Sequence, residues 1–130
     1  MSSTSQITIG TLKTNAPVLT GISNFRRWYN SWVIIFRGAK CWTVVSDGDD
    51  KEKRPVKETN ESDDAFKSRL SMYDERNDAA HAALLSGVSE DLQEIVSSCV
   101  FKPESARVVM SLLKEKFDHE TTTSTLDLFN

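Results

Sequence analysis

Residues 19–40, with the sequence LTGISNFRRWYNSWVIIFRGAK, decide the fold of this chain. The stretch contains two of the three tryptophans and three further aromatic side chains. Its apolar residues recur at positions i, i+3, i+7, i+10 and i+11, the pattern of a helix with one buried face. These residues are Phe25, Trp28, Trp32, Ile35 and Phe36. Because a helix cannot cover its own apolar face, the pattern predicts that other segments pack on it.

The ends of this helix are predicted from the flanking residues. It is expected to span about residues 23–38. The side chain of Ser23 or Asn24 is expected to accept the first free backbone N–H groups, and Gly38 to take the left-handed position that stops a helix. The next apolar run, Cys41-Trp42-Thr43-Val44-Val45, fits either a strand or a single helical turn. Its tryptophan is expected to close one end of the core.

Three further helices are predicted. The first spans about residues 64–86, with a stripe formed by Phe66, Leu70, Tyr73, Asn77, Ala80 and Leu84. The second begins after Ser89, with an inner face of Leu92, Ile95, Val96 and Cys99. The third opens at Pro103, with Ala106, Val109, Met110, Leu113 and Phe117 on its buried side. If buried, the polar Asn77 is expected to find a hydrogen-bond partner. The sequence therefore predicts an all-α fold, a compact bundle of four to five helices.

Composition divides the chain into three parts. Residues 1–20 are predicted to form an extended or flexible arm, because Pro17 blocks a helix and apolar residues alternate with polar ones. Residues 21–118 are predicted to form the helical domain, interrupted at 46–64 by a mobile charged loop. Residues 119–130 are interpreted as the start of a further helix, cut by the end of the chain.

The composition suits one ordinary domain, since 38% of the 130 residues are hydrophobic and 27% are charged. Cys41 and Cys99 are the only cysteines and are expected to be reduced core residues. The first residues lack the charged and apolar regions of a secretory signal, and no apolar run is long enough to span a bilayer. These features predict a cytoplasmic protein without membrane association.

Charge is distributed unevenly along the chain. Residues 1–46 contain five basic side chains and no acidic one, whereas residues 47–130 contain the other 11 basic and all 19 acidic side chains. Solvated faces commonly vary in charge, and this is the simpler interpretation. The other interpretation is that a basic surface of one molecule docks on an acidic surface of the next, or attracts nucleic acid.

The motifs of common enzyme and metal sites are missing from the sequence. It contains no glycine-rich phosphate loop, no GxSxG, no HExxH and no CxxC. His81 and His119 lie on different predicted helices, and His81 is expected to be a core or solvent-edge histidine. The carboxylates of the charged loop do not suit a preorganised acid–base pair. We therefore expect no catalysis, cofactor, metal or small-molecule substrate.

The polar side of the aromatic helix is the surface through which we expect the chain to meet partners. At roughly 100° per residue, its arginines lie opposite the aromatic rings, so weak contacts with RNA phosphates are expected and base stacking is not. Ile34 falls on the same polar side. It is either a single exposed aliphatic residue, which is common, or a contact for a neighbouring copy. The candidate self-association surface consists of Arg26, Arg27, Ile34 and Arg37.

The order of these residues resembles the Gag polyprotein of copia-type (Ty1/copia) LTR retrotransposons. That family opens with a leucine, a glycine, an asparagine followed by an aromatic residue, and a tryptophan. The matching residues here are Leu19, Gly21, Asn24, Phe25 and Trp28. A short segment with a tryptophan and then a variable charged loop follow in the family, as Trp42 and residues 46–64 do here.

Two later motifs extend the resemblance to about residues 17–118. The first is a tryptophan, a polar residue and an alanine, matched here by Tyr73, Asn77 and Ala80. The second is a helix with threonine-alanine, tryptophan, leucine and tyrosine, matched here by Ser105, Ala106, Met110, Leu113 and Phe117. Tyr73 and Met110 depart from the family by standing where tryptophans are usual, although both are bulky.

The resemblance implies a capsid-forming structural protein. The matching residues would then be core anchors in the N-terminal part of a capsid-like fold, and many copies would assemble into a shell around retrotransposon RNA. The family's zinc knuckle, protease, integrase and reverse transcriptase have no counterpart in this sequence. An alternative from another class is a domesticated Gag-derived module that binds a protein partner or interferes with capsid assembly.

Overall fold

The computed structural model of the protein describes the backbone of residues 15–129 and the side chains of residues 15–118. Its helices are α1 (Ile22–Gly38), α2 (Trp42–Val45), α3 (Asp63–Ser86), a 3₁₀ turn (Glu90–Leu92), α4 (Gln93–Ser97) and α5 (Ser105–Phe129). The described residues contain no strand, only an isolated parallel bridge between Leu19 and Val88. The predicted all-α bundle is confirmed, and the run that contains Trp42 forms a helical turn.

The aromatic face of α1 is the centre of the core, as its periodicity predicts. Phe25, Trp28 and Trp32 are each at most 1% exposed. Their rings follow one another along the helix at centroid separations of 6.0 and 6.1 Å. The ring of Phe25 also lies 6.0 Å from that of Phe117 on α5. Since α5 packs on α3 as well, it joins the two long helices that precede it.

Both ends of α1 differ from the prediction. The N-cap residue is Gly21, and Asn24 acts from inside the first turn. The Asn24 Oδ1 atom accepts hydrogen bonds from the backbone N–H groups of Thr20 and Gly21, at 3.0 and 3.4 Å. At the other end, Gly38 is the last helical residue and Lys40 takes the left-handed conformation, with φ of 62°. The chain therefore turns into α2 at a lysine and not at the glycine.

The later helices also differ from the prediction. The second of the three further predicted helices is only a 3₁₀ turn followed by the five-residue α4. The next one and the separate helix predicted at 119–130 are a single continuous helix, α5. The reason is that no glycine or proline follows Pro103, so nothing interrupts the helical hydrogen bonds. Pro103 itself precedes α5, and Glu104 makes the turn into the helix with φ of 55°.

The charged segment expected at 46–64 runs over the surface as irregular backbone until α3 begins. Ion pairs and hydrogen bonds attach it to side chains of α3. The pairs are Glu52 with Arg76, Arg54 with Asp74, Lys57 with Asp63, and Glu61 with Arg69. The sequence does not indicate these attachments, because no regular spacing links the partners and the segment has almost no apolar side chain to bury.

Only residues 15–20 of the expected N-terminal arm lie within the described part. Leu19 is fully buried there. Its N–H donates to the carbonyl of Gly87 at 2.9 Å, and its carbonyl accepts from the N–H of Ser89 at 2.8 Å. This end of the arm is therefore tied to the segment that follows α3. The rest of the arm, residues 1–14, lies outside the described residues.

Candidate self-association surface

The outward face of α1 carries the four residues selected from the sequence. We call this the α1 surface: Arg26, Arg27, Ile34 and Arg37. Ile34 is 70% exposed, and the three arginines are exposed with it. Specific interfaces bury about 1,200–2,000 Å² in total, and one aliphatic side chain supplies only a small part of that area. A contact centred on Ile34 would therefore have to include the polar residues around it.

Two arginines of the α1 surface are paired within the chain. Arg26 forms an ion pair with Asp118 of α5. Arg37 lies 3.9 Å from a carboxylate oxygen of Asp50, and its guanidinium carbon is 5.7 Å from the centroid of the Trp42 ring. The basic first part of the chain and its acidic later part thus partly neutralise each other inside one molecule. A phosphate or an acidic neighbour must compete with these carboxylates.

A pocket of about 570 Å³ adjoins the α1 surface at Arg37. Its lining consists of Arg37, Lys40, Trp42, Thr43, Asp50 and Arg76. The hydrogen bond from the Ser46 hydroxyl is the main cause that lowers the pKa of Asp50. Hydrogen bonds from Arg76 likewise lower the pKa of Glu52. Both carboxylates stay charged at neutral pH, so they offset much of the positive charge that the three basic side chains bring.

Two of the motif residues, Leu19 and Trp28, donate hydrogen bonds to the same backbone carbonyl. The indole Nε1 of Trp28 donates to the carbonyl oxygen of Gly87 at 2.7 Å, and the N–H of Leu19 donates to the same oxygen. The indole of Trp32 donates to the carbonyl of Pro17 at 3.0 Å. The two buried tryptophans therefore satisfy their polar atoms by joining α1 to the segments before it and after α3.

Asn24 and Gly21 belong to the same motif, but only Asn24 makes side-chain hydrogen bonds that hold the turn. The Asn24 amide nitrogen donates to the carbonyl of Val18 at 2.8 Å, while its oxygen accepts from the N–H groups of Thr20 and Gly21. This asparagine therefore closes the turn that leads into α1. A Cβ atom on Gly21 would meet nothing within 4 Å. Nothing in the structure explains the glycine.

The polar residue of the motif formed by Tyr73, Asn77 and Ala80 contacts the start of α5. Asn77 donates to the Ser105 hydroxyl at 3.1 Å and accepts from the backbone N–H of Ala106 at 3.0 Å. One turn further along α3, His81 Nδ1 lies 2.7 Å from the Ser105 oxygen and Nε2 lies 2.8 Å from the Val96 carbonyl. Nε2 must carry a hydrogen to donate to that carbonyl, so in the neutral ring Nδ1 accepts from Ser105. Side chains of α3 thus cap the first turn of α5.

The other motif residues lie in the core. They are Phe25, Trp42, Tyr73, Ala80, Ala106, Met110, Leu113 and Phe117. Tyr73 stands where the resemblance leads us to expect a tryptophan, and its buried hydroxyl has no hydrogen-bond partner among the described residues. The predicted partner of Asn77 is confirmed, and so is the core position of His81.

The buried Arg107 of α5 is not among the residues selected from the sequence. Its guanidinium donates to the backbone carbonyls of Ser46 at 2.5 Å, Glu52 at 2.6 Å and Thr43 at 3.0 Å, and pairs with Glu104. Arg107 therefore holds α2 and the charged segment on α5. A signal was present in the sequence, because a cation in the first turn of a helix opposes the helix dipole and needs partners nearby.

The remaining chemistry-bearing residues are separate from the α1 surface. Cys41 and Cys99 are buried free thiols, and burial raises the pKa of the Cys41 thiol. Over the residues that the structure describes, no three His, Cys, Asp or Glu side chains converge as they would to hold a metal ion. In the same part of the chain, no helix combines the length and the apolar character needed to cross a membrane.

The architecture defines the class of this protein as an all-α bundle, and its α1 helix presents exposed arginines on its outward face. Comparisons of the chain with models of protein families, with curated proteins and with solved structures find no match. Any assignment beyond the architecture therefore depends on the sequence motifs and on the roles of their residues in this fold.

Proposed function

We propose that this chain is a Gag-like structural domain whose copies self-associate into a shell that packages retrotransposon RNA. The observation that carries the proposal is the role of the polar motif residues. Apolar motif residues would be buried in any fold, whereas Asn24 and Asn77 have specific tasks. Asn24 closes the turn before α1, and Asn77 caps the first turn of α5. A motif that encodes a fold is expected to place its polar members at such helix starts.

The inner faces of the helices are used by the core, so contacts between copies would use outward faces. A shell needs head-to-tail contacts, in which one patch meets a different patch of the next copy. The α1 surface would supply one such patch, with Ile34 as its apolar centre. The charge asymmetry contributes less than the sequence suggested, because Arg26 and Arg37 already pair with carboxylates of their own chain.

RNA would be held mainly through its phosphates. The rings of Phe25, Trp28 and Trp32 are buried and cannot stack on bases. Arginines of the α1 surface would therefore give weak binding that falls steeply with salt concentration. A cytoplasmic location and a purely structural role, without catalysis, cofactor or small-molecule substrate, belong to the same proposal.

A substitution at the centre of the α1 surface tests the proposal. We expect the wild-type chain to form particles with RNA, visible by electron microscopy and light scattering. Ile34→Asp should reduce assembly while the circular dichroism spectrum stays unchanged, because a charge would be buried at the contact. Val56→Asp is the matched control, since Val56 is also strongly exposed, at 78%, but lies in the charged segment.

Two results would count against the proposal. Equal assembly of the Ile34→Asp and Val56→Asp variants would remove Ile34 from the contact. A wild-type chain that forms no particles, with or without RNA, would contradict the shell itself. The domesticated-module alternative would then be tested by mixing the chain with a full-length copia-type Gag, where co-assembly or inhibition of particles would support it.

A further inference from the structure

An open groove of about 570 Å³ lies between α3 and the segment formed by α4 and the turn after it. Its apolar wall consists of Ala82, Leu85, Val96 and Val100. Leu85 is 38% exposed and Val100 is 56% exposed, so the groove is open to solvent in one copy of the chain. None of its lining residues belongs to the α1 surface.

Phe101 follows Val100 directly and is 96% exposed. Its turn is ordered by hydrogen bonds between backbone groups, including one from the N–H of Lys102 to the carbonyl of Cys99 at 3.0 Å. An aromatic ring presented in this way contacts almost nothing of its own chain. An exposed ring beside an open apolar groove is typical of an interaction site.

We infer that the occupant of the groove is Phe101 of a second copy, in a two-fold symmetric dimer. Phe101 is the residue that directly follows Val100, and Val100 lines the groove, so the ring is attached next to the groove along the chain. A two-fold axis between them places each ring at the partner's groove in a single operation. The groove is also large enough, since a cavity of about 150 Å³ holds a benzene ring.

Charge complementarity favours a second copy over an unrelated apolar partner. Lys102 is exposed next to the Phe101 ring, and Asp78 is the acidic residue of the groove lining. When Phe101 of one copy enters the groove of the other, Lys102 approaches the partner's Asp78, and the symmetry repeats the pair. Such pairs add specificity and orientation to a contact whose affinity comes from the apolar ring.

This dimer deepens the proposed self-association but does not depend on Ile34. A two-fold contact alone stops at two copies, whereas a two-fold contact combined with a head-to-tail contact extends into a shell. The groove contact would therefore be the pairing unit and the α1 surface the linking unit. The pairing contact is small, so we expect a weak dimer that appears only at high protein concentration.

Sedimentation velocity on the full chain, from low micromolar to millimolar concentration, tests the pairing contact. Phe101→Ser should weaken dimerisation at least about tenfold, as loss of a central aromatic residue does. Val56→Ser, at an exposed apolar residue outside the groove, should leave the dimer unchanged. Circular dichroism of each variant checks that the monomer is still folded.

A charge exchange provides the second test. Asp78→Lys and Lys102→Asp should each weaken the dimer, because each places like charges opposite one another. The double variant D78K/K102D should restore dimerisation towards the wild-type value. Failure of the double variant to recover, with the folded spectrum retained, would overturn the proposed Asp78–Lys102 contact and with it the two-fold arrangement.

The outcomes separate this inference from the proposed shell. Particles that form equally well with Phe101→Ser, in a chain whose dimer is also unchanged, would overturn the groove contact and leave the shell. A dimer that depends on Phe101, in a chain that never forms particles, would support the groove contact and contradict the shell. A chain that stays monomeric at millimolar concentration and forms no particles with RNA would overturn both.

Discussion

Gly87 lies against the indole ring of Trp32 so closely that no side chain fits between them. A Cβ atom on Gly87 would stand 2.6 Å from Cζ2 and 3.0 Å from Cε2 of that ring. The carbonyl of the same glycine accepts hydrogen bonds from Trp28 and Leu19. The φ angle of −90° is open to any residue, so the glycine is required for space and not for conformation.

We therefore predict that Gly87→Ala destabilises the fold by about 1–3 kcal/mol, the usual cost of overpacking a core. The matched control is Gly21→Ala, where a Cβ atom meets nothing within 4 Å. The control should cost less than about 1 kcal/mol, the scale of a changed N-cap residue. Urea unfolding followed by tryptophan fluorescence measures both. If the two variants lost equal stability, the close approach to Trp32 would not be the reason for the glycine.

The positions of α1 and α3 were predictable because long helices repeat their apolar residues many times. The same periodicity placed Ile34 on the polar side of α1, and the exposure of its side chain agrees with that position. The end of α1 and the start of α5 were not predictable, since Lys40 and Glu104 make left-handed turns without a glycine. The close packing of Gly87 on Trp32 was not predictable either, because it depends on which segments meet in the folded chain.

The groove next to Phe101 could not be predicted from the sequence either. Its two walls come from helices that are separate in sequence, and the helix expected after Ser89 is much shorter than its pattern suggested. A shorter α4 leaves a longer turn, and that turn carries the exposed ring. The sequence pattern could assign faces to helices but could not show where an intervening turn leaves a groove open.

Arg107 provides a second prediction about stability. Arg107→Met keeps most of the side-chain volume but removes the donors that the Ser46 and Glu52 carbonyls use. Because buried polar groups without a partner are costly, we expect a loss of about 2–4 kcal/mol. Arg54→Met, which removes two hydrogen bonds to Asp74 from an exposed pair, should cost at most about 1 kcal/mol. Chemical unfolding of the two variants in parallel measures both losses of stability. A loss for Arg107→Met no larger than that for Arg54→Met would contradict the anchoring role of Arg107.

The ion pair between Glu61 and Arg69 predicts how stability changes in acid. Hydrogen bonds from Arg69, at 2.6 and 2.7 Å, and from the backbone N–H of Glu58 lower the pKa of Glu61 to about 2. The unfolded chain has a glutamate pKa of about 4.3. The folded value is the lower one, so the stabilisation is fully present above the unfolded pKa and is lost as the pH falls towards the folded value.

We therefore expect the urea midpoint of the wild-type chain to fall between about pH 5 and pH 2 more steeply than that of Glu61→Gln. The glutamine cannot titrate, and Asp50 and Glu52, whose pKa values are also lowered, leave a residual slope in both proteins. The two curves should converge at the lowest pH, where Glu61 is protonated and resembles glutamine. Parallel curves over the whole range would show that the Arg69 contact does not contribute to folding, and the charged segment would then be held on α3 by its other pairs.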